Sequence, residues 1–189
     1  MGTPSVPHAI QLRRSIKSFT SRAITREEIE ELLGLALLAP NHRMTQPWEF
    51  IVLGPEARRA YGRIKGESRA RKVDDPEAAE AVRRKTVAQM EALPAMVGFV
   101  QRLDADPEIR EEDFATVYMG MQNVLLAAVE RGLGTHVKTG KVLDAPETRG
   151  ALGIREGERL VALVHLGEPQ EIPDAKPREP VATRIRHLP

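Results

Sequence analysis

Two spacings of apolar residues divide the chain. Ile29, Leu32, Leu33, Ala36 and Leu37 recur at helical spacing behind Thr25 and Glu28, a Thr-x-x-Glu capping box, and Pro40 ends the run. "WEFIVL", from Trp48 to Leu53, reads as a short strand closed by Gly54-Pro55, and "AMVGFVQRL", Ala95 to Leu103, as a second strand behind Pro94. Helical spacing returns from about Glu111 to Arg131, with Phe114, Val117, Tyr118, Met121, Leu125, Ala128 and Val129 on the buried side and Gly132 placed as the C′ residue. "RLVALVHLG", Arg159 to Gly167, is apolar at almost every position, the pattern of a central strand covered on both faces. Two short helices complete the pattern, one from about His8 to Arg14 and one opening at Asp144 and Pro146 and ending near Gly153. Between Pro55 and about Glu91 the charged, Ala-rich text predicts two helices without a strong apolar face, and so a surface position. Strands alternating with helices predict a layered domain of α and β elements.

Composition narrows the class. The 189 residues suffice for one substantial core, so a single domain over 1–189 is expected. Its 28 Lys and Arg nearly balance 27 Asp and Glu, and a net charge of +1 gives no field that argues for nucleic acid. With no cysteine there is no disulfide scaffold, thiolate nucleophile or Cys-type metal site, and the five histidines do not cluster as ligands; no metal is expected. Met1 to Ile10 holds no apolar run of signal-peptide length and no segment approaches the roughly 20 residues of a membrane span, so a soluble, cytoplasmic protein is expected. Residues 168–189 carry five prolines and few large apolar groups, a composition that fits either a disordered tail or an extended arm lying across a partner subunit.

Three polar stretches stand out. Arg13, Arg14, Ser15 and Lys17 put guanidinium, hydroxyl and ammonium donors on one corner, the donor set of a phosphate site; the alternative is a solvated helix end whose cations suit the dipole. In "APNHRMTQPW" two prolines stiffen a turn that presents Asn41, His42, Thr45 and Gln46, more polar groups than a simple connection needs. "GLGTHVKTG" places Gly132, Gly134 and Gly140 after a helix, which is not the GxGxxG of a doubly wound dinucleotide fold, yet offers backbone that can approach a flat ring. No Ser-His-Asp or Cys-His set is present. An enzyme of this composition needs a bound cofactor to carry its reaction.

In this order, "RRSIKSF", a helix ending "LLAP", a polar turn into "QPWEFIVL", a long helix, "GLGTHVKTG", "VALVHLG" and a tail Lys-x-Arg resemble the FMN-dependent nitroreductase family, most nearly its short bacterial branch. The resemblance spans nearly the whole chain and is weakest over Tyr61 to Leu93. It implies an α+β fold with a central, mostly antiparallel sheet flanked by helices, and an intertwined homodimer with FMN at the interface. Carried over by position, Arg13, Arg14, Ser15 and Lys17 hold the FMN phosphate and the adjacent flavin edge, with Lys176 and Arg178 of the arm adding phosphate contacts. Asn41, His42, Met44 and Gln46 come from the other subunit, and Val137, Lys138, Thr139 and Gly140 lie along the ring near N5. His42 and Met44 replace the Ser and Asn of many longer relatives. No catalytic side chain is implied, because flavin N5 carries a hydride from NADH or NADPH to a nitroaromatic or quinone. Two alternatives stand beside this: a storage, sensory or flavin-modifying FMN protein of the same fold, and a cofactor-free protein whose corner binds a polyanion.

Overall fold

The computed structural model describes residues 5–189; residues 1–4, part of the start read above for a leader, lie outside the described residues. Helix α1 spans Val6–Leu12 and ends before the cationic pair, because Arg13 turns to extended backbone (φ −54°, ψ 127°). Arg13 is the C-cap residue and Arg14 donates to the Gln11 carbonyl at 2.6 Å, so the first two cations do sit at the helix end. Beyond them the chain runs beside a strand, with Ile16 N–H donating to the Thr135 carbonyl at 2.9 Å.

Helix α2 (Arg26–Ala36) begins at Thr25, where both halves of the capping box form: Glu28 N–H donates to the Thr25 hydroxyl at 3.2 Å, and Thr25 N–H to the Glu28 carboxylate at 2.9 Å. Ile29, Leu32, Leu33 and Ala36 are buried as the spacing predicts, but Leu37 falls at the C-cap and is exposed. Thr25→Ala removes one partner of the box and is expected to cost about 1 kcal/mol, read as a lowered midpoint in urea unfolding.

Strand β1 is Trp48–Val52, followed by helices α3 (Pro55–Ala70) and α4 (Pro76–Glu91), strand β2 (Ala95–Arg102) and helix α5 (Pro107–Glu130). Helix α5 starts earlier than its apolar pattern, because Asp106 caps it, accepting from Glu108 N–H, with Pro107 at the first helical position. At its end Gly132 takes φ +70° while Leu133 N–H reaches the Ala128 carbonyl and Gly132 N–H that of Val129, a Schellman cap. Strand β3 (Gly134–Lys138), helix α6 (Pro146–Ala151) and strand β4 (Glu158–Gly167) complete the core elements.

The four strands form one fully antiparallel sheet in the order β1-β2-β4-β3, so β4 is central, as its apolar run predicts. On one face Ala95, Val97 and Phe99 of β2 and Ala162, Val164 and Leu166 of β4 pack against α2 and α5. Gly120 of α5 sits where an added Cβ would lie 2.8 Å from the Ala36 carbonyl oxygen, which lets these helices approach closely. The buried stripe of α5 is rotated from the expected one: Thr116, Gly120 and Val124 are inside, and Tyr118 is exposed at 36%.

On the other face Met96, Val100, Leu160 and Leu163 meet Tyr61 of α3, Met90 of α4 and Leu152 after α6. Helices α3 and α4 thus cover this face, where a surface position was expected. They manage it without an apolar stripe. Gly62 and Gly66 abut the backbone of Val87 and Arg83, where an added Cβ would sit 3.0 and 3.2 Å from those Cα atoms. Among the described residues no helix is long and apolar enough to cross a membrane.

Candidate functional site

The corner is held on the edge of the sheet. Ser15 bridges Thr135 in parallel, which extends the sheet beyond β3, and Phe19 bridges Pro169 where the arm leaves β4. Gly134 makes this contact possible: an added Cβ there would lie 2.4 Å from Cγ1 of Ile16. Among the described residues no carboxylate pairs with Arg13, Arg14 or Lys17. Arg14 turns one terminal nitrogen back to the carbonyls of Gln11 and Arg13, and its Nε is buried without a partner.

Next to the corner is a cavity of about 450 Å³ between the sheet edge and the helical pair α3 and α4. Lys17, Lys65, Arg69 and Lys138 line it together with His136 and His165, and no Asp or Glu does. Cations gathered without a counter-charge repel one another, and burial adds a desolvation cost. Burial, then the charges of Arg69 and Lys138, pull the Lys65 ammonium down to about 8. Lys138 is lowered by burial, then by Arg69 and Lys17. His165, 4% exposed, is pulled to about 3 by burial and then by Lys65, Lys138 and His136, so it is neutral at ordinary pH. A cluster of this kind is relieved by an anion. Perturbed titrations with a specific charge cause are what functional clefts show.

Of the ring-side segment, Lys138 faces the cavity, Val137 packs toward the α2 and α5 core on the opposite side, and Thr139 and Gly140 (φ 122°) are exposed beyond the end of β3. The last two border a smaller hollow of about 260 Å³ with Phe114, Tyr118 and Arg159. The sequence reading missed Lys65, Arg69, His136 and His165. Lys65 and Arg69 lie four apart on α3, but the sequence reading expected an irregular join from about Gly66, so this spacing was not visible; their convergence with His136 and His165 depends in addition on the register that pairs those two histidines across β3 and β4.

The Asn41 turn lies elsewhere. Arg43, Met44 and Gln46 all have positive φ (59°, 50° and 48°), an uncommon cluster outside glycine. The turn is tied down from within: Gln46 N–H donates to the Asn41 side chain at 2.7 Å, Asn41 donates to the Thr45 hydroxyl at 2.9 Å, and Thr45 donates to buried Asp113. His42 and Arg43 both engage Glu112, at 2.9 and 2.7 Å, while Met44 is 70% exposed. This turn sits at the Arg102 end of β2, where Arg102 N–H donates to the Pro47 carbonyl, whereas the cavity reaches Leu93 at the opposite end. Eight residues of strand separate the two, roughly 23 Å at the rise of a β-strand. The structure does not bring the turn to the corner within one chain. Lys176 and Arg178 are both exposed on the arm, and Arg178 donates only to carbonyls of its own segment.

An antiparallel sheet between two helical layers, with a cationic corner and cavity on one edge, defines an α+β protein of nitroreductase-like fold. The chain belongs to the nitroreductase family, whose model, described as "Nitroreductase family", matches residues 10–168. It is 32% identical over 179 residues to YfhC of Bacillus subtilis (strain 168), provisionally named an NAD(P)H nitroreductase, covering 95% of this chain and 92% of that one. It is 30% identical over 175 residues to the 5,6-dimethylbenzimidazole synthase of Rhodospirillum rubrum, covering 85% of this chain and 80% of that protein. Among solved structures it resembles a nitroreductase-like family protein from Bacillus cereus, with a TM-score of 0.87 at 28% identity, covering 100% of this chain and 98% of the other. Family membership makes the chain an oxidoreductase.

Proposed function

We propose that the protein is an FMN-dependent NAD(P)H oxidoreductase that works as a homodimer. The observation that carries this reading is the pairing of two unneutralised cationic groups on one sheet edge, the corner at Arg13, Arg14, Ser15 and Lys17 and the cavity beside it. A phosphate monoester suits the corner: the Arg13 guanidinium and the Ser15 hydroxyl make no side-chain bond among the described residues, and the unpartnered Nε of Arg14 lacks an acceptor that an anion supplies. The polar edge of a flavin suits the cavity. FMN, when bound, supplies the centre that takes a hydride from NADH or NADPH and passes it to a nitroaromatic or quinone in ping-pong order. The chain's own residues bind and orient it: Lys17 and Lys138 offer ammonium donors at the ring edge, and backbone at Thr139 and Gly140 is open to a flat partner.

The separation of the Asn41 turn from the corner supports the dimer. In a two-fold assembly the turn of one copy reaches the corner of the other, so Asn41, His42, Met44 and Gln46 complete the partner's site. The arm supports it too. It leaves the sheet beside the corner, where Gln170 N–H donates to the Ser18 carbonyl, and then exposes Ile172, Val181, Ile185 and Leu188 at 49–85%. Lys176, six residues past Gln170, is within roughly 20 Å of chain from the corner, near enough for Lys176 and Arg178 to close a phosphate site.

A second reading, a flavin-modifying protein of the same fold, is favoured by the likeness to the 5,6-dimethylbenzimidazole synthase. Steady-state oxidation of NADH and NADPH with a nitroaromatic and a quinone separates the two. Under the first reading the purified protein is yellow, sediments as a dimer and consumes NAD(P)H only when acceptor is present. A colourless monomer that takes up no FMN overturns it.

A further inference from the structure

His136 lies between the two cationic groups and bonds to both. Its Nδ1 is 2.9 Å from the carbonyl oxygen of Ile16, inside the corner, and its Nε2 is 2.9 Å from Nζ of Lys138. The partners settle the tautomer. A carbonyl only accepts, so Nδ1 carries the proton; an ammonium only donates, so Nε2 presents its lone pair. The imidazole therefore works only when neutral. Its surroundings keep it so: its pKa is lowered by burial first and then by Lys138, with Lys17 and Lys65 adding to the effect. The charged or titratable groups facing it are Lys138 on its own strand, Lys17 on the corner, Lys65 and Arg69 on α3, and His165 directly across on β4, its ring centroid 6.1 Å away. None is an acid.

We propose that His136 is a positioning residue: it ties the Lys138 ammonium to the Ile16 carbonyl, so that the ring-side strand and the phosphate corner form one rigid donor set aimed into the cavity. The inference rests on the flavin reading above for the identity of the ligand. Lys138 ends a strand on an edge crowded with cations, and repulsion from Arg69 and Lys17 drives its flexible stem outward. A neutral acceptor two residues back on the same strand face is the group that holds it in. The side chain does not touch the reacting atoms. It acts through Lys138.

A double-mutant cycle on FMN affinity, read by fluorescence titration, tests this. Lys138→Ala and His136→Leu are each expected to weaken FMN about tenfold, the loss of one charge-assisted contact, and the double variant no further than either alone. His136→Gln, whose amide both donates and accepts, is expected to stay within about threefold of the parent. Losses that multiply in the double variant, or parent-like affinity in His136→Leu, overturn the proposal. Nitrogen-15 NMR of the flavin-free protein gives a reading without FMN: His136 is expected as the Nδ1–H tautomer, with a pKa that rises in Lys138→Ala. An Nε2–H tautomer, or a pKa unmoved by that substitution, overturns the proposal even if FMN binds. A parent that binds no FMN overturns the flavin reading, and the NMR result then decides the His136–Lys138 contact by itself. Should His136→Leu fail to fold, His136→Gln and Lys138→Ala still decide it.

Discussion

His165→Leu is expected to leave stability near that of the parent at about pH 7.5 and to exceed it by roughly 2–3 kcal/mol at about pH 4.5. The folded His165 has its pKa pulled from 6.5 to about 3, by burial first and by Lys65 next. Between those values the unfolded chain binds a proton that the folded chain refuses, so stability falls as pH drops from 6.5 toward 3 and is unaffected above that window. Leucine removes the titration. It also removes an Nε2 that is buried without a partner, so no hydrogen bond is lost at neutral pH. The carboxylates of Glu28, Glu67 and Glu158, all lowered in the fold, add their own acid sensitivity to both proteins, so the measured quantity is the difference between variant and parent. Urea unfolding at the two pH values supplies it. Parallel pH curves would mean that His165 is hydrated and takes up its proton in the folded and unfolded chain alike.

The parts of this fold legible in the sequence are those set by local rules. Thr25 and Glu28 announce a helix because a capping box is a contact between residues three apart, and Gly132 announces a helix end because a left-handed C′ residue favours glycine. The apolar run at Arg159 to Gly167 has one packing solution, the centre of the sheet. The α3 and α4 pair was misplaced for the same reason: a search for apolar spacing overlooks a helix interface built from Gly62 and Gly66, whose contribution is the absence of a side chain. The stripe of α5 was misdrawn in a related way, since Thr116 and Gly120 are buried there and Tyr118 is not.

The candidate site divides along the same line. Arg13, Arg14, Ser15 and Lys17 are adjacent in the chain, so their convergence is visible in the text. Lys65, His136 and His165 are brought together by a helix and two strands, and only the register that sets His136 opposite His165 brings the imidazoles together. The Asn41 turn was recognised as polar, but its positive φ values and its bond to Asp113 belong to tertiary structure. That bond gives Asn41 and Thr45 a second employment: they hold the turn in shape, which leaves exposed Met44 as the part most available to another chain.

Arg13→Ala and Ser15→Ala are each expected to weaken FMN binding by about 1.5–3 kcal/mol, the range for a hydrogen bond to a charged group, which corresponds to at least a tenfold rise in Kd. Arg14 is the poorer choice for this test, because its guanidinium also supports the end of α1 through the Gln11 carbonyl at 2.6 Å, and its removal mixes folding with binding. Arg13 and Ser15 make no side-chain hydrogen bond or ion pair among the described residues, so their loss breaks nothing within the chain. Ser15 is held in place by backbone alone, through its bridge to Thr135, and that anchor survives truncation to alanine. Thermal unfolding of the flavin-free variants should therefore match the parent while their FMN titrations shift. Salt separates the two contributions: Arg13→Ala removes a charge and should reduce the dependence of Kd on ionic strength, whereas Ser15→Ala removes a neutral donor and should leave that dependence intact. Equal affinity in both variants would place the phosphate away from this corner and return its unpaired cations to the status of a solvated edge.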